Sequence, residues 1–353
     1  MINIDSFDRI TRRYSEYWSR ENHDSPLLWL TADKSGGAAR QHQPYASLRE
    51  RWLDTGYQLQ YARRVMENTY YAGDSYPLYW PNLGPDIFGA IMGCDIAFGE
   101  DTSWAVHPQK ELCDYDFSAL NRSDFWFKKI VEMTEAAARD ARGDYLVGIT
   151  DLHAGLDGLV SLRGPEELCM DLYADPEAVN VSSFTTLARF KEVYEELCGI
   201  LARVQRGSSN WMNVYHPEGW FVTSCDFMGM ISPEMYKEFV EPELLEEVAF
   251  LKNNIFHLDG PGALRHLDAL LEIDGIDGIQ WVYGAGQPTA AHWVPVLQKI
   301  QQAGKVIHVD AVPEDLPVLK QSLKPEGLLL SMQADSVEQA MEIEKQVRNW
   351  NRR

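Results

Sequence analysis

Ile255-Phe256-His257-Leu258-Asp259-Gly260-Pro261-Gly262 reads as a buried strand that ends in polar side chains and then breaks. Side chains alternate along a strand with period two, so His257 and Asp259 point to the same side. The Gly-Pro-Gly that follows turns the chain at once. A parallel barrel presents polar side chains in this way at the carboxyl ends of its strands, where such folds keep their chemistry. Cys225-Asp226, upstream, has the same form: an apolar run ending in a thiol and an acid. The plainer reading makes His257 a hydrogen-bonded core histidine and Asp259 a helix cap.

The rest of the chain supports the barrel. Short apolar runs read as strands at 27–31, 76–80, 145–150, 220–224, 254–258, 278–281, 306–309 and 328–331. Between the later ones lie helical patterns over 233–252, 263–271, 292–303 and 313–323, and a long helix covers about 179–205. Strands alternating with helices point to a parallel sheet, and about eight strands point to an α/β (β/α)8 TIM barrel. A surface helix over about 6–20 and a second helical stretch over about 47–70 add to it at the N-terminus. No repeat, low-complexity tract or linker divides the chain. A single domain over 1–353 is expected, with 1–75 holding the helical extension and first strand and 76–345 the remainder of the barrel.

Bulk properties limit the function. The 353 residues are 45% hydrophobic, which suits a globular core. No apolar run reaches the roughly 18 residues of a membrane span, and the start lacks the basic and apolar regions of a signal peptide. A cytoplasmic protein away from membranes is expected. With 32 basic against 53 acidic residues the net charge is −21, which argues against nucleic acid. Five scattered cysteines without a Cys-x-x-Cys pair argue against a disulfide framework or a zinc finger. Cys169 and Cys198 read as core residues.

Polar or aromatic residues close most of the strands: Thr31, Trp80, Asp151 with His153, Cys225 with Asp226, His257 with Asp259, Trp281 with Tyr283, His308 with Asp310, and Ser331. Three of the nine histidines stand there, each two residues from an aspartate. A divalent metal held by His257, Asp259 and Cys225 or His308 would use this pattern. Acid–base chemistry on Asp151, Asp226 and Asp259 would use it equally, as would glycoside chemistry between stacked aromatics. His266 reads as a surface residue, and Glu241, Glu243, Glu246 and Glu247 read as a solvated helix face.

Residues Met230-Ile-Ser-Pro-Glu-Met-Tyr-Lys-Glu-Phe-Val-Glu-Pro242, a helix, and then His257-x-Asp259-Gly260 resemble the uroporphyrinogen decarboxylase superfamily. Met92-Gly-Cys-Asp-Ile96 with Glu100-Asp101, and Leu172-Tyr-Ala-Asp-Pro-Glu-Ala-Val179, add to the likeness, which spans roughly residues 80 to 345. The chain looks most like the corrinoid-linked methyltransferase-like branch, which includes proteins of the trimethylamine corrinoid protein 2 type. The decarboxylase's arginine-rich motif has no counterpart in Leu30-Thr-Ala-Asp-Lys-Ser-Gly-Gly37, which disfavours tetrapyrrole decarboxylation. In the methyltransferase branch zinc sits on His-x-Cys and a later Cys, and lowers a thiol's pKa so that the thiolate accepts methyl from a corrinoid. Here His257 matches the histidine, Asp259 replaces the first cysteine, and the later position falls near Gln333 or Ala334. A more oxygen-rich site would be a harder, weaker Lewis acid, better suited to a methoxy or methylamine donor than to a thiol.

The resemblance therefore implies a methyltransferase that moves a methyl group between a small methylated substrate and a corrinoid (cobalamin) carried by a partner protein. Its metal would be zinc, with the family's cysteine ligands missing. His257 and Asp259 would bind metal or act as an acid–base pair, with Cys225 or Asp226 completing the group. Asp151 would serve the chemistry. His153 and His308 would position substrate, with Trp80, Trp281 and Tyr283 as walls. Relatives commonly form homodimers. Two other readings stay open: a non-catalytic binding barrel, and a lyase, decarboxylase or hydrolase working through paired carboxylates.

Overall fold

The computed structural model describes residues 4–108 and 110–351. Its strands are β1 (Leu27–Asp33), β2 (Thr69–Gly73), β3 (Leu78–Tyr79), β4 (Asp95–Phe98), β5 (Ser103–Val106), β6 (Leu146–Val147), β7 (Phe221–Ser224), β8 (Asn254–Asp259), β9 (Gly278–Val282), β10 (Val306–Asp310) and β11 (Leu328–Ala334). Every strand expected from the sequence is present. Among the described residues they fall into three hydrogen-bonded sets: a seven-stranded sheet in the order β2-β1-β11-β10-β9-β8-β7, the pair β3-β6 and the hairpin β4-β5. All pairings in the large sheet are parallel except β1 with β2. The architecture is a barrel-like α/β fold whose ladder is not continuous around a full circle.

The apolar strands are buried because helices cover them. Leu27, Leu28, Leu30, Ile255, Phe256, Leu258, Ile279, Ile307, Val309 and Leu328 to Leu330 lie within one core. That both faces are covered explains why these strands read as continuous apolar runs rather than alternating ones. Gly278 has no Cβ for a packing reason: one there would lie 2.3 Å from Val306 Cγ2 on the next strand.

The N-terminal helix (Ile4–Trp18) lies at the surface as expected, with Asp8, Arg9, Arg12 and Ser15 exposed and its other face packed on the core. Tyr14 and Tyr17 are fully buried, and Tyr17 donates to Ile307 O while Trp18 Nε1 donates to Tyr215 O. The segment after it reaches the chain just ahead of two strands, with Arg20 on Gly304 O and Asn22 on Pro325 O. It therefore covers the amino ends of β10 and β11. A buried carboxylate fastens this end. Asp74 accepts from Leu28 N at 3.1 Å and pairs with Arg348 of the C-terminal helix (Val337–Arg348) at 3.0 Å. The carboxyl ends of the strands are left for a site.

Several elements differ from the sequence reading. The helical stretch after Ser47 is two helices, Leu48–Leu53 and Thr55–Glu67, split at Asp54, whose carboxylate accepts from Tyr57 N. It stops short of Thr69-Tyr70-Tyr71, whose β-branched and aromatic residues form the antiparallel β2. Helices at Ile87–Met92 and Gly155–Arg163 were not expected, because glycines interrupt both patterns. The helix expected over 233–252 contains one π-turn at Tyr236–Val240. Pro242 explains it: with no N–H, proline cannot bond the carbonyl four residues back, and the register slips.

Candidate metal centre

Strands β7, β8 and β9 place three polar residues in one row, because Ser224 pairs with His257 and His257 with Gln280. His257 Nδ1 lies 2.6 Å from Gln280 Oε1. A carbonyl oxygen only accepts, so Nδ1 carries a proton and in the neutral ring the lone pair is on Nε2. That lone pair faces Asp226 Oδ1 at 3.8 Å. Asp259, two residues on, ends the strand on the same side. Ligand atoms of Asp226, His257 and Asp259 all lie within 4.8 Å of one another. His257 is 13% exposed and Asp226 55%, so a small molecule can reach the group. Trp211 stands edge-on to the His257 ring at 5.1 Å.

Electrostatics favour a cation here. Desolvation first, and the charge of Asp157 next, push Asp226 up to about 6, against the pull of His257 and His153. A divalent ion between Asp226 and Asp259 would relieve that repulsion. The donor set is one imidazole nitrogen and two carboxylates, with an amide holding the imidazole in the ligating tautomer. It fits zinc or a similar borderline-to-hard cation. Cys225 is not in this group. It is 4% exposed, and burial pushes its thiol well above the ordinary range. Gln333, near the position of the family's second cysteine, is exposed on β11. Asp226 thus stands where the sequence reading weighed Cys225.

Asp151 and His153 form a second group beside the first. His153 Nε2 is 2.8 Å from Asp151 Oδ1, an ion pair without an aligned hydrogen bond. His153 Nδ1 is 2.5 Å from Ser224 Oγ, and Ser224 Oγ donates to Asp157 Oδ2 at 3.1 Å. Having given its proton to a carboxylate, the serine oxygen can only accept from His153. Both ring nitrogens are therefore protonated. Burial alone would lower the pKa of His153, but Asp151, with help from Asp157 and Asp226, holds it up at about 10.

Acids also stand behind this histidine. Glu243 and Glu247, on the helix Glu241–Leu251, are 5% and 4% exposed, which corrects the expectation of a solvated face. Burial, then Glu247, pushes Glu243 well above the usual carboxyl range; burial raises Glu247 to about 8, with His153 and Lys191 opposing. Gly155 makes room for Glu243. A Cβ there would lie 2.6 Å from Glu243 Oε2, and its φ of +59° suits glycine.

The remaining candidates scatter. His308 pairs across the sheet with Gln280 and is 3% exposed; among the described residues its nitrogens have no hydrogen-bond partner, and burial lowers its pKa to about 4. Trp281 is turned away from the site. It alternates with Gln280 and packs edge-on against Trp293 at 5.1 Å, inside the helix layer. Tyr283 is half-buried just beyond β9. Trp80 and Thr31 line a cavity of about 380 Å3 with Trp29, Tyr76 and Asn213, at the β1 and β3 side. His266 is 1% exposed and its Nε2 contacts Met228 O at 2.9 Å, so it is a core residue. Cys169 and Cys198 are half-buried.

Four residues escaped the sequence reading: Gln280, Ser224, Asp157 and Trp211. Gln280 did carry a signal, as one amide inside the buried run Gly278-Ile-Gln-Trp-Val282. Asp157 sat within the polar stretch after β6 but reads as an ordinary first-turn acid.

No family model matches the chain, and no curated protein does. Among solved structures the chain is similar to a methyltransferase from Methanosarcina mazei, with a TM-score of 0.62 and 10% sequence identity over 97% of this chain and 98% of that one. The two share a fold along essentially their whole lengths. Among the described residues no helix is long and apolar enough to cross a membrane.

Proposed function

We propose that this chain is a metal-assisted methyltransferase, moving a methyl group between a small methylated substrate and a corrinoid carried by a partner protein. The observation that carries the reading is the convergence of Asp226, His257 and Asp259 at the strand ends. A fold shared with a methyltransferase along the whole chain supports it. On this reading the eight strands recognised in the sequence belong to one (β/α)8 barrel, with the site at its carboxyl end.

His257 Nε2, Asp226 and Asp259 would hold the ion, and Gln280 would fix the imidazole. When bound, the ion would supply Lewis acidity toward the oxygen or nitrogen that carries the methyl group. Trp211, edge-on to His257, would exclude water on one side. His308, neutral and without a partner, would offer a hydrogen bond to an uncharged substrate group. Incubating the zinc-loaded protein with reduced cobalamin and methanol, methylamines or methoxyarenes, and following the cobalamin spectrum, tests the reading. Methylcobalamin formation that disappears in His257→Ala is expected. No formation with any donor contradicts it.

A carboxylate-based lyase or hydrolase is the second reading, favoured by the raised pKa of Asp226, about 6, beside His257. It predicts turnover that survives chelation of metal.

A further inference from the structure

Asp226 is the weak point of the proposed centre. It is half-exposed and sits in the short turn Asp226–Met230 rather than in a strand, so nothing in the sheet fixes it. What fixes it is Asp157. This carboxylate accepts three hydrogen bonds: from Asp226 N at 2.9 Å, from Phe227 N at 3.0 Å and from Ser224 Oγ at 3.1 Å. The first two satisfy the free N–H groups that open the turn, as a capping acid does, although Asp157 belongs to a distant helix. Ser224 in turn accepts from His153, which is paired with Asp151.

The hydrogen bonds in this chain all run one way. Protons point from His153 to Ser224 and from Ser224 to Asp157, while the other side of His153 is ion-paired with Asp151. The carboxylate oxygens of Asp157 end the chain and hold the backbone of Asp226. Ser224 is thereby excluded as a nucleophile despite its contact with a histidine. Its proton is committed to Asp157, and an imidazolium cannot accept it.

We infer that Asp157, Ser224 and His153 are positioning residues for Asp226, a hydrogen-bonded support that sets the third ligand of the metal centre. The inference rests on the metal reading of the site. Partners of this kind are worth about 10–100-fold in metal affinity where they have been removed from other sites.

The test is titration of the metal-free protein with zinc(II), and separately with cobalt(II), in the wild type, Asp157→Asn, Ser224→Ala and Ser224→Thr. Asparagine retains one acceptor oxygen in place of two, so Asp157→Asn is expected to weaken binding by about 10–100-fold. Ser224→Ala removes a single link and is expected to cost about 3–10-fold, with Ser224→Thr, which keeps the hydroxyl, close to wild type. The visible spectrum of cobalt at saturation is expected to shift in Asp157→Asn and Ser224→Ala, because one ligand has moved. A loss of stability alone would lower Tm and leave that spectrum in place. If Asp157→Asn does not fold, Ser224→Ala and its threonine rescue decide the matter. Wild-type affinity and spectrum in Ser224→Ala overturn the inference and leave the metal site standing. A wild type that takes up neither ion overturns the metal reading, and this inference with it.

Discussion

Two histidine–carboxylate groups adjoin at the ends of β7 and β8, and they use the same residue types in opposite ways. His153 has spent both nitrogens on protein partners, Asp151 and Ser224, and Asp151, with Asp157 and Asp226, keeps it charged. His257 has spent only Nδ1, on Gln280, and presents a free lone pair toward two accessible carboxylates. A histidine among acids is thus not a site in itself. The partner of the second ring nitrogen decides whether the imidazole is a structural cation or a ligand.

The largest expected effect falls on the closed group. His153→Gln leaves Asp151 and Asp157 without their buried cation, and breaking such a pair costs on the order of 3–5 kcal/mol. The pH dependence follows from the raised pKa. Unfolded, His153 titrates near 6.5; folded, near 10. Its contribution is complete below the unfolded value and is lost as pH rises from there through about 10. Chemical denaturation of wild type and variant should therefore differ most near pH 6 and converge toward pH 10. A constant difference would mean that His153 acts by packing alone.

Glu247 should also cost stability as pH rises, but here the charged form is the one the fold disfavours. Its folded pKa, about 8, lies above the unfolded value, so the folded state must give up a proton as pH rises through neutrality, and stability falls. Glu247→Gln is expected to raise Tm by a few degrees near pH 8 and to leave it nearly unchanged near pH 4. Stabilisation at the lower pH as well would place a charged Glu247 in the fold. At the open group, Asp259→Asn should weaken zinc binding by about tenfold or more with Tm of the metal-free protein unchanged, since this exposed carboxylate has no structural partner to lose. The smallest effect at the metal site belongs to Trp281→Phe. It should lower stability by about 1–3 kcal/mol and leave metal affinity alone, because this ring packs on Trp293 and not on the site.

Much of this was readable in the chain before folding. The buried strands were legible because a sheet covered on both sides needs continuous apolar runs, and Ile255 to Asp259 is such a run with its chemistry at the end. The antiparallel β2 was hidden because helical periodicity led straight into it. At the site, His257 and Asp259 were legible from their spacing of two. Asp226 was named, but its neighbour Cys225 competed for the role, and only the turn of the chain decides which side chain faces inward. Glu243 and Glu247 were misread because charge on a helix usually means solvent. Glu243 fits beside Gly155 because no Cβ stands there, a contact between distant segments that no local pattern records. Asp157 was missed for the same reason, since it caps a turn far along the sequence.

Whether the open histidine holds a metal is decisive for the function of this chain. The direct measurement is elemental analysis of protein purified without added metal, wild type beside His257→Ala. Near one equivalent of zinc or another divalent ion in the wild type, lost in a variant that keeps its fold, is the predicted result. A wild type without metal, or a variant that retains it, would contradict the assignment of Asp226, His257 and Asp259.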